Sequence, residues 1–168
     1  MPGLAAVLAL LLTASVVSAG SLEGTVVRVV DGDTIHVRIG ERVEKVRYIG
    51  VNTPEVHHPR KGEEPGGREA MAMNRWLVDG RQVRLETDVR SRDRYGRLLA
   101  YVWVGETMIN AELVERGYAQ VMTVPPNVRH QALFVKLQRD ARDADRGLWR
   151  YASPPSARAS ASSIPPTK

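Results

Sequence analysis

Residues 24–51 read GTVVRVVDGDTIHVRIGERVEKVRYIGV. Valine and isoleucine dominate three runs within it, Gly24–Val30, Thr34–Ile39 and Val43–Val51, and β-branched residues suit a pleated, half-buried surface. Asp31-Gly32 between the first two runs is a tight-turn dipeptide, and Gly40 parts the second from the third. The stretch therefore predicts three successive strands.

Further along the chain, Gln82–Val89 and Leu98–Val104 predict two more strands, joined by a charged turn, Arg90–Arg97. Three helices are legible. Arg68–Asp79 ends against Gly80, Ile109–Arg116 is followed by Gly117, and Val128–Arg146 is closed by Gly147. In the last, Leu133, Leu137, Ala141 and Ala144 recur at helical spacing. Trp76, Trp103 and Trp149 fall in apolar stretches and are expected in the core. Five strands in two groups with interleaved helices predict an α+β, barrel-rich domain. The five-stranded oligonucleotide-binding (OB) barrel carrying three α-helices is its natural form.

Both ends lie outside that domain. Leu4–Val17 is apolar apart from Thr13 and Ser15, and is short of the roughly 20 residues a membrane span needs. Val17-Ser18-Ala19 before Gly20 resembles a small-residue cleavage site. Residues 1–19 are thus expected to be a signal peptide, with an uncleaved membrane anchor as the alternative, and the protein to be secreted or periplasmic. Residues 152–168 are mostly Ser, Pro and Ala and predict a disordered tail. The folded domain is expected over 20–151.

The chain has no cysteine, which excludes disulfides, thiolate metal sites and cysteine nucleophiles. Its net charge is +5, and only Lys45, Lys61, Lys136 and Lys168 of its 24 basic residues are lysine. Guanidinium forks hold phosphate oxygens in pairs, so the balance favours an anionic partner such as nucleic acid.

Three segments could carry chemistry. Asp31-Gly32-Asp33-Thr34 sets two carboxylates in a tight turn, where they could face one hard cation or merely shape a hairpin. Arg47-Tyr48-Ile49-Gly50-Val51-Asn52-Thr53-Pro54-Glu55 puts an arginine on a strand with two largely apolar faces. Arg47 needs an anion there, either a substrate phosphate or a carboxylate. Pro54 forces an extended or turned backbone whose carbonyls could ligate a cation, and Glu55 beside it could act on water. Asp93-Arg94-Tyr95-Gly96-Arg97 is a turn between strands. Arg97 could clamp a phosphate, and Arg94 and Tyr95 are expected to contact substrate, Tyr95 as a stacking face. His57-His58 lacks companions at zinc-ligand spacing, and His36 and His130 are expected at the surface or in packing.

Taken in order, Val29–Thr34, Arg47–Glu55 and Asp93–Tyr101 resemble the signature segments of the staphylococcal nuclease (thermonuclease) family. His58–Glu63, Arg68–Ala70 and Leu113–Ala119 resemble it too, so the similarity spans about Leu22–Arg150. The resemblance implies a Ca²⁺-dependent nuclease, hydrolysing DNA and RNA. One ion would be held by Asp33, the Asn52 side chain and the Thr53 carbonyl, with Asp31 in or near that shell. It implies that Arg47 and Arg97 hold the scissile phosphate and that Glu55 orients or deprotonates the attacking water. It implies cleavage of P–O5′ to leave a 3′-phosphate. A monomer without protein partners is expected. Two departures stand out. Asn52 occupies a position where the best-known members have aspartate. Met122-Thr123-Val124-Pro125-Pro126 lacks the aromatic rings that members often place there. A non-catalytic nucleic-acid-binding barrel is the main alternative, and an interaction protein with an acidic or membrane partner is the third class. The presence of Asp33, Arg47, Glu55 and Arg97 together argues against the binding barrel, and only the tail and the N-terminus favour the third class.

Overall fold

The computed structural model of the protein describes residues 21–56 and 62–151. The expected signal segment, the Ser/Pro/Ala tail and His57-His58 lie outside the described residues.

The opening stretch does fold as successive antiparallel strands: β1 (Ser21–Val29), β2 (Thr34–Ile39) and β3 (Arg42–Tyr48). β1 also pairs with β5 (Gln82–Glu86), and β5 with β6 (Leu98–Val104). β6 then returns to β3 in parallel register, Arg47 opposite Leu99, and closes the barrel. Val26, Ile35, Val37, Val46, Leu85 and Val102 fill its interior. Helices α1 (Gly67–Val78), α2 (Ile109–Glu115) and α3 (Gln131–Asp143) complete the predicted α+β OB-type architecture.

The third run is shorter than its composition suggests. Gly50 adopts φ +78°, a left-handed conformation that favours glycine. The strand therefore stops at Tyr48, turns, and resumes as a separate two-residue strand, β4 (Val51–Asn52). β4 pairs with β8 (Gln120–Val121), and β7 (Thr107–Met108) with the end of β6. A Cβ on Gly50 would meet the Phe134 ring at 2.6 Å, so the same turn receives α3.

Phe134, absent from the predicted stripe, corrects the reading of the last helix. The inward face carries Phe134, Leu137 and Ala141, whereas Leu133 is exposed. Leu137 and Ala141 keep their predicted places, but Phe134 takes that of Leu133 because it inserts beside Gly50 and Tyr101, and Ala144 is exposed beyond the helix end. The tryptophans are corrected as well. Trp76 is 63% exposed and the other two are only partly buried. Each has a guanidinium over its ring, Arg116 over Trp76, Arg84 over Trp103 and Arg142 over Trp149, a contact that an amphipathic surface ring can make. His130 packs edge-on against Tyr101 at 4.5 Å, as a packing histidine.

Candidate active site

The β1–β2 turn is shaped by its own carboxylates. Asp31 accepts the Asp33 N–H at 2.9 Å, an Asx-type turn. Gly32 lies so close to Thr53 that a Cβ there would meet the Thr53 side chain at 2.6 Å. The turn is thereby held against the segment that follows β4. Asp33 is buried and accepts the Thr53 N–H at 2.8 Å and the Thr53 hydroxyl at 3.1 Å. The Thr34 hydroxyl donates to its other oxygen at 3.2 Å.

That other oxygen also meets Arg47 Nε at 3.1 Å. Asp33 is thus a carboxylate that answers Arg47. Arg47 Nη1 donates to the carbonyls of Tyr48 at 2.7 Å and Val51 at 2.8 Å, and Nη2 to Asn52 Oδ1 at 3.0 Å. Together these occupy four of the five guanidinium hydrogens, leaving one on Nη2 without a partner among the described residues. Burial pushes the Asp33 pKa up to about 6, Arg47 opposes that, and the Asp31 charge adds to it.

Asn74 of α1 was not foreseen. It is fully buried, accepts the Tyr48 hydroxyl at 2.8 Å and donates to the Asp31 carbonyl at 2.9 Å. A polar residue among Met71, Met73 and Leu77 was the only sequence signal for it. It ties the turn to α1.

The Asp93–Arg97 turn is organised by Asp93. One oxygen accepts the N–H groups of Tyr95 at 2.9 Å and Arg97 at 3.0 Å. The other accepts Arg97 Nε at 2.6 Å. Burial works against ionisation of Asp93, but these bonds outweigh it and hold the carboxyl below its ordinary range. Tyr95 is 68% exposed, with Arg94 4.7 Å and Arg97 5.6 Å from its ring centre.

A cleft of about 510 Å³ gathers Arg47, Asn52, Glu55, Arg94, Tyr95 and Arg97. Glu55 is exposed, and its main chain is pinned on both sides by Glu64, whose carboxylate accepts the Glu55 N–H at 3.0 Å and whose N–H reaches the Glu55 carbonyl at 2.8 Å. Asp33 and Thr53 are buried behind Arg47 and do not line the cleft. The opposite wall includes Met122, Val124, Pro125 and Asn127. Asn127, also unforeseen, clasps Arg90 by accepting its N–H at 2.8 Å and donating to its carbonyl at 2.7 Å.

Among the described residues no three histidine, cysteine or carboxylate side chains gather. The expected cation ligands are of a different kind: one carboxylate, Asp33, a side-chain amide, Asn52, and a main-chain carbonyl, Thr53, with Asp31 adjoining. An all-oxygen set of this kind suits a hard cation. The donor set therefore fits Ca²⁺. Asn52 turns Oδ1 to Arg47 and Nδ2 to the Thr53 carbonyl, at 3.4 Å.

The model of the staphylococcal nuclease homologue family matches residues 45–151. The chain belongs to the staphylococcal nuclease family. It is 39% identical over 124 residues to the thermonuclease of Staphylococcus hyicus, covering 74% of this chain and 73% of that protein. It is 39% identical over 122 residues to the thermonuclease of Staphylococcus intermedius, covering 73% of each. An SPbeta prophage-derived endonuclease of Bacillus subtilis is 38% identical over 127 residues, or 74% of this chain and 43% of that protein. Family membership makes this chain a nuclease, a hydrolase acting on nucleic acid.

Proposed function

We propose that this nuclease is calcium-dependent, is exported after removal of residues 1–19, and cuts DNA and RNA at P–O5′ to leave 3′-phosphate ends. The observation that carries the chemistry is the convergence of Arg47, Glu55 and Arg97 on one cleft beside the Asp33, Asn52 and Thr53 oxygens.

A phosphodiester repels a water nucleophile because both are rich in electron density. Arg97, restrained by Asp93, presents its guanidinium to the scissile phosphate. Arg47 offers its remaining N–H from a rigid, buried frame. Both groups withdraw charge from the phosphoryl oxygens and stabilise the additional charge of the five-coordinate transition state. Glu55 takes the proton of the attacking water or orients it, from a backbone that Glu64 pins in place. Asp33, Asn52 and Thr53, with Asp31, would hold Ca²⁺, which supplies Lewis-acid stabilisation at the same phosphate. Tyr95 and Arg94 form one side of the cleft for the sugar or base, and the domain acts as a monomer.

The test is to incubate residues 20–168 with single-stranded DNA in calcium or chelator, with Glu55→Ala alongside. Cleavage only in calcium, reduced about 10²-fold or more by the mutation, is expected. Equal cleavage by the mutant would assign the reaction to another site. Salt-sensitive binding without cleavage would identify a binding barrel instead.

A further inference from the structure

Some basic side chains of the barrel and its loops are matched by carboxylates: Arg84 by Glu86, Arg92 by Glu44, and Arg129 by Glu86 and Asp88. On β1, β2 and β3 the exposed Arg28, Arg38, Arg42 and Lys45 join no ion pair among the described residues, and two of them lie in one row. Arg28 of β1 stands opposite His36 of β2, and His36 opposite Lys45 of β3. Directly opposed residues share one face of a sheet, with Cβ atoms about 5 Å apart. Side chains alternate along β3, so Lys45 lies on the same face as Arg47 and opposite the core residue Val46. The row is one pleat repeat, about 7 Å, from Arg47.

Beyond β1 a groove of about 430 Å³ separates Arg28 from Arg75 on α1. Val30, next to Asp31, also lines it, and Asp79 is its one carboxylate. Arg28, Lys45 and Arg75 are exposed, and none joins an ion pair among the described residues. His36 between them has its proton affinity lowered, first by burial and then by Arg28 and Lys45. It places a neutral ring between two cations. A row with no carboxylate paired to it, one pleat repeat from Arg47, is complementary to a polyanion that enters the cleft.

We propose that Arg28, Lys45 and Arg75 form a second nucleic-acid contact, a track for the backbone phosphates of a single strand that runs past the catalytic cleft. The proposal builds on the nuclease reading of that cleft but adds a surface outside it. Such contacts act through release of counterions, so they are read in the salt dependence of binding.

The test compares wild type with the triple variant Arg28→Gln, Lys45→Gln, Arg75→Gln, after equal melting temperatures show both folded. Binding of a single strand of about 20 nucleotides is measured in chelator over a salt series, and cleavage of a dinucleotide in calcium. The slope of log affinity against log salt is expected to shrink by about 2, at roughly 0.7 for each phosphate that the variant no longer neutralises, with dinucleotide cleavage unchanged. An unchanged slope would overturn the track. So would an equal loss on the dinucleotide, which would place the row's effect within the cleft. Loss of binding to phosphatidylserine vesicles with strand binding intact would overturn it in favour of a membrane surface. If wild type cuts nothing, the catalytic reading fails, while the salt slope in chelator still decides the track.

Discussion

A carboxylate as enclosed as that of Asp33 resists ionisation, and its pKa of about 6 shows that Arg47 offsets only part of the lost hydration. The ordinary value is 3.8, so the folded protein binds this proton more tightly than the unfolded chain does. Stability linked to protonated Asp33 is complete below 3.8 and is lost as pH rises through about 6. A cation competes with the same proton. Calcium affinity is therefore expected to be about tenfold weaker near pH 5 than near pH 7.5, by calorimetric titration. Equal affinities would remove Asp33 from the ligand set. In the proposed site Asn52 would contribute a neutral oxygen, and site affinity rises with ligand charge. Asn52→Asp is expected to tighten calcium by about tenfold; unchanged or weaker binding would count against Asn52 as a ligand. At this scale Arg47, Asn52, Glu55, Arg94, Tyr95 and Arg97, which share the cleft, were legible from the three motifs taken together. Asn74 and Asn127 were not, since a neutral amide gains its importance from the partners that the fold brings to it.

Two clasps between elements set the shape of the site. Asn74 joins α1 to the β1–β2 turn through Asp31 and to β3 through Tyr48. Asn74→Ala leaves the buried Tyr48 hydroxyl without its acceptor and the Asp31 carbonyl without its donor. It is expected to lower stability by about 2 kcal/mol and to weaken calcium binding. Tyr48→Phe keeps the amide on Asp31 and is expected to lower stability by about 1 kcal/mol with calcium affinity unchanged. Denaturant melts and calcium titrations of the pair decide between a positioning role and a purely structural one. Asn127 joins the loop after β5 to the wall formed by Met122 and Val124. Asn127→Ala is expected to raise KM more than it lowers kcat; a selective loss of kcat would refute a wall-building role. The elements themselves were largely foreseen, with errors where a local pattern met a tertiary demand. Val43–Val51 is apolar enough for one strand, but the Gly50 turn divides it to receive α3. Helical spacing alone could not distinguish a face containing Leu133 from one containing Phe134.

Across the whole molecule, Glu44, Asp88 and Asp93 are held below the ordinary carboxylate range. For Glu44 the Arg92 bond is the main cause. For Asp88 and Asp93 burial opposes ionisation, and bonds from Arg129, Tyr101 and the Arg97 turn outweigh it. Groups depressed in this way contribute stability above their unfolded pKa that is lost as pH falls through the folded one. Asp33 changes in the opposite sense, but it is one group against these three and Asp140, which the Lys136 bond holds low in the same way. The melting temperature in chelator is expected to fall progressively below about pH 4, and a flat profile from about pH 6 to pH 3 would contradict this balance. The strands, the helices and the family were legible in the sequence alone, because residue periodicity, glycine placement and three ordered motifs are local properties. Only the tertiary structure decided that β6 closes on β3, that Arg47 is held by Asp33, and that Arg28 stands in one row with Lys45 and shares a groove with Arg75. Each of these joins residues distant in the chain, and their partners are set by barrel register and helix docking, which no single stretch of sequence encodes.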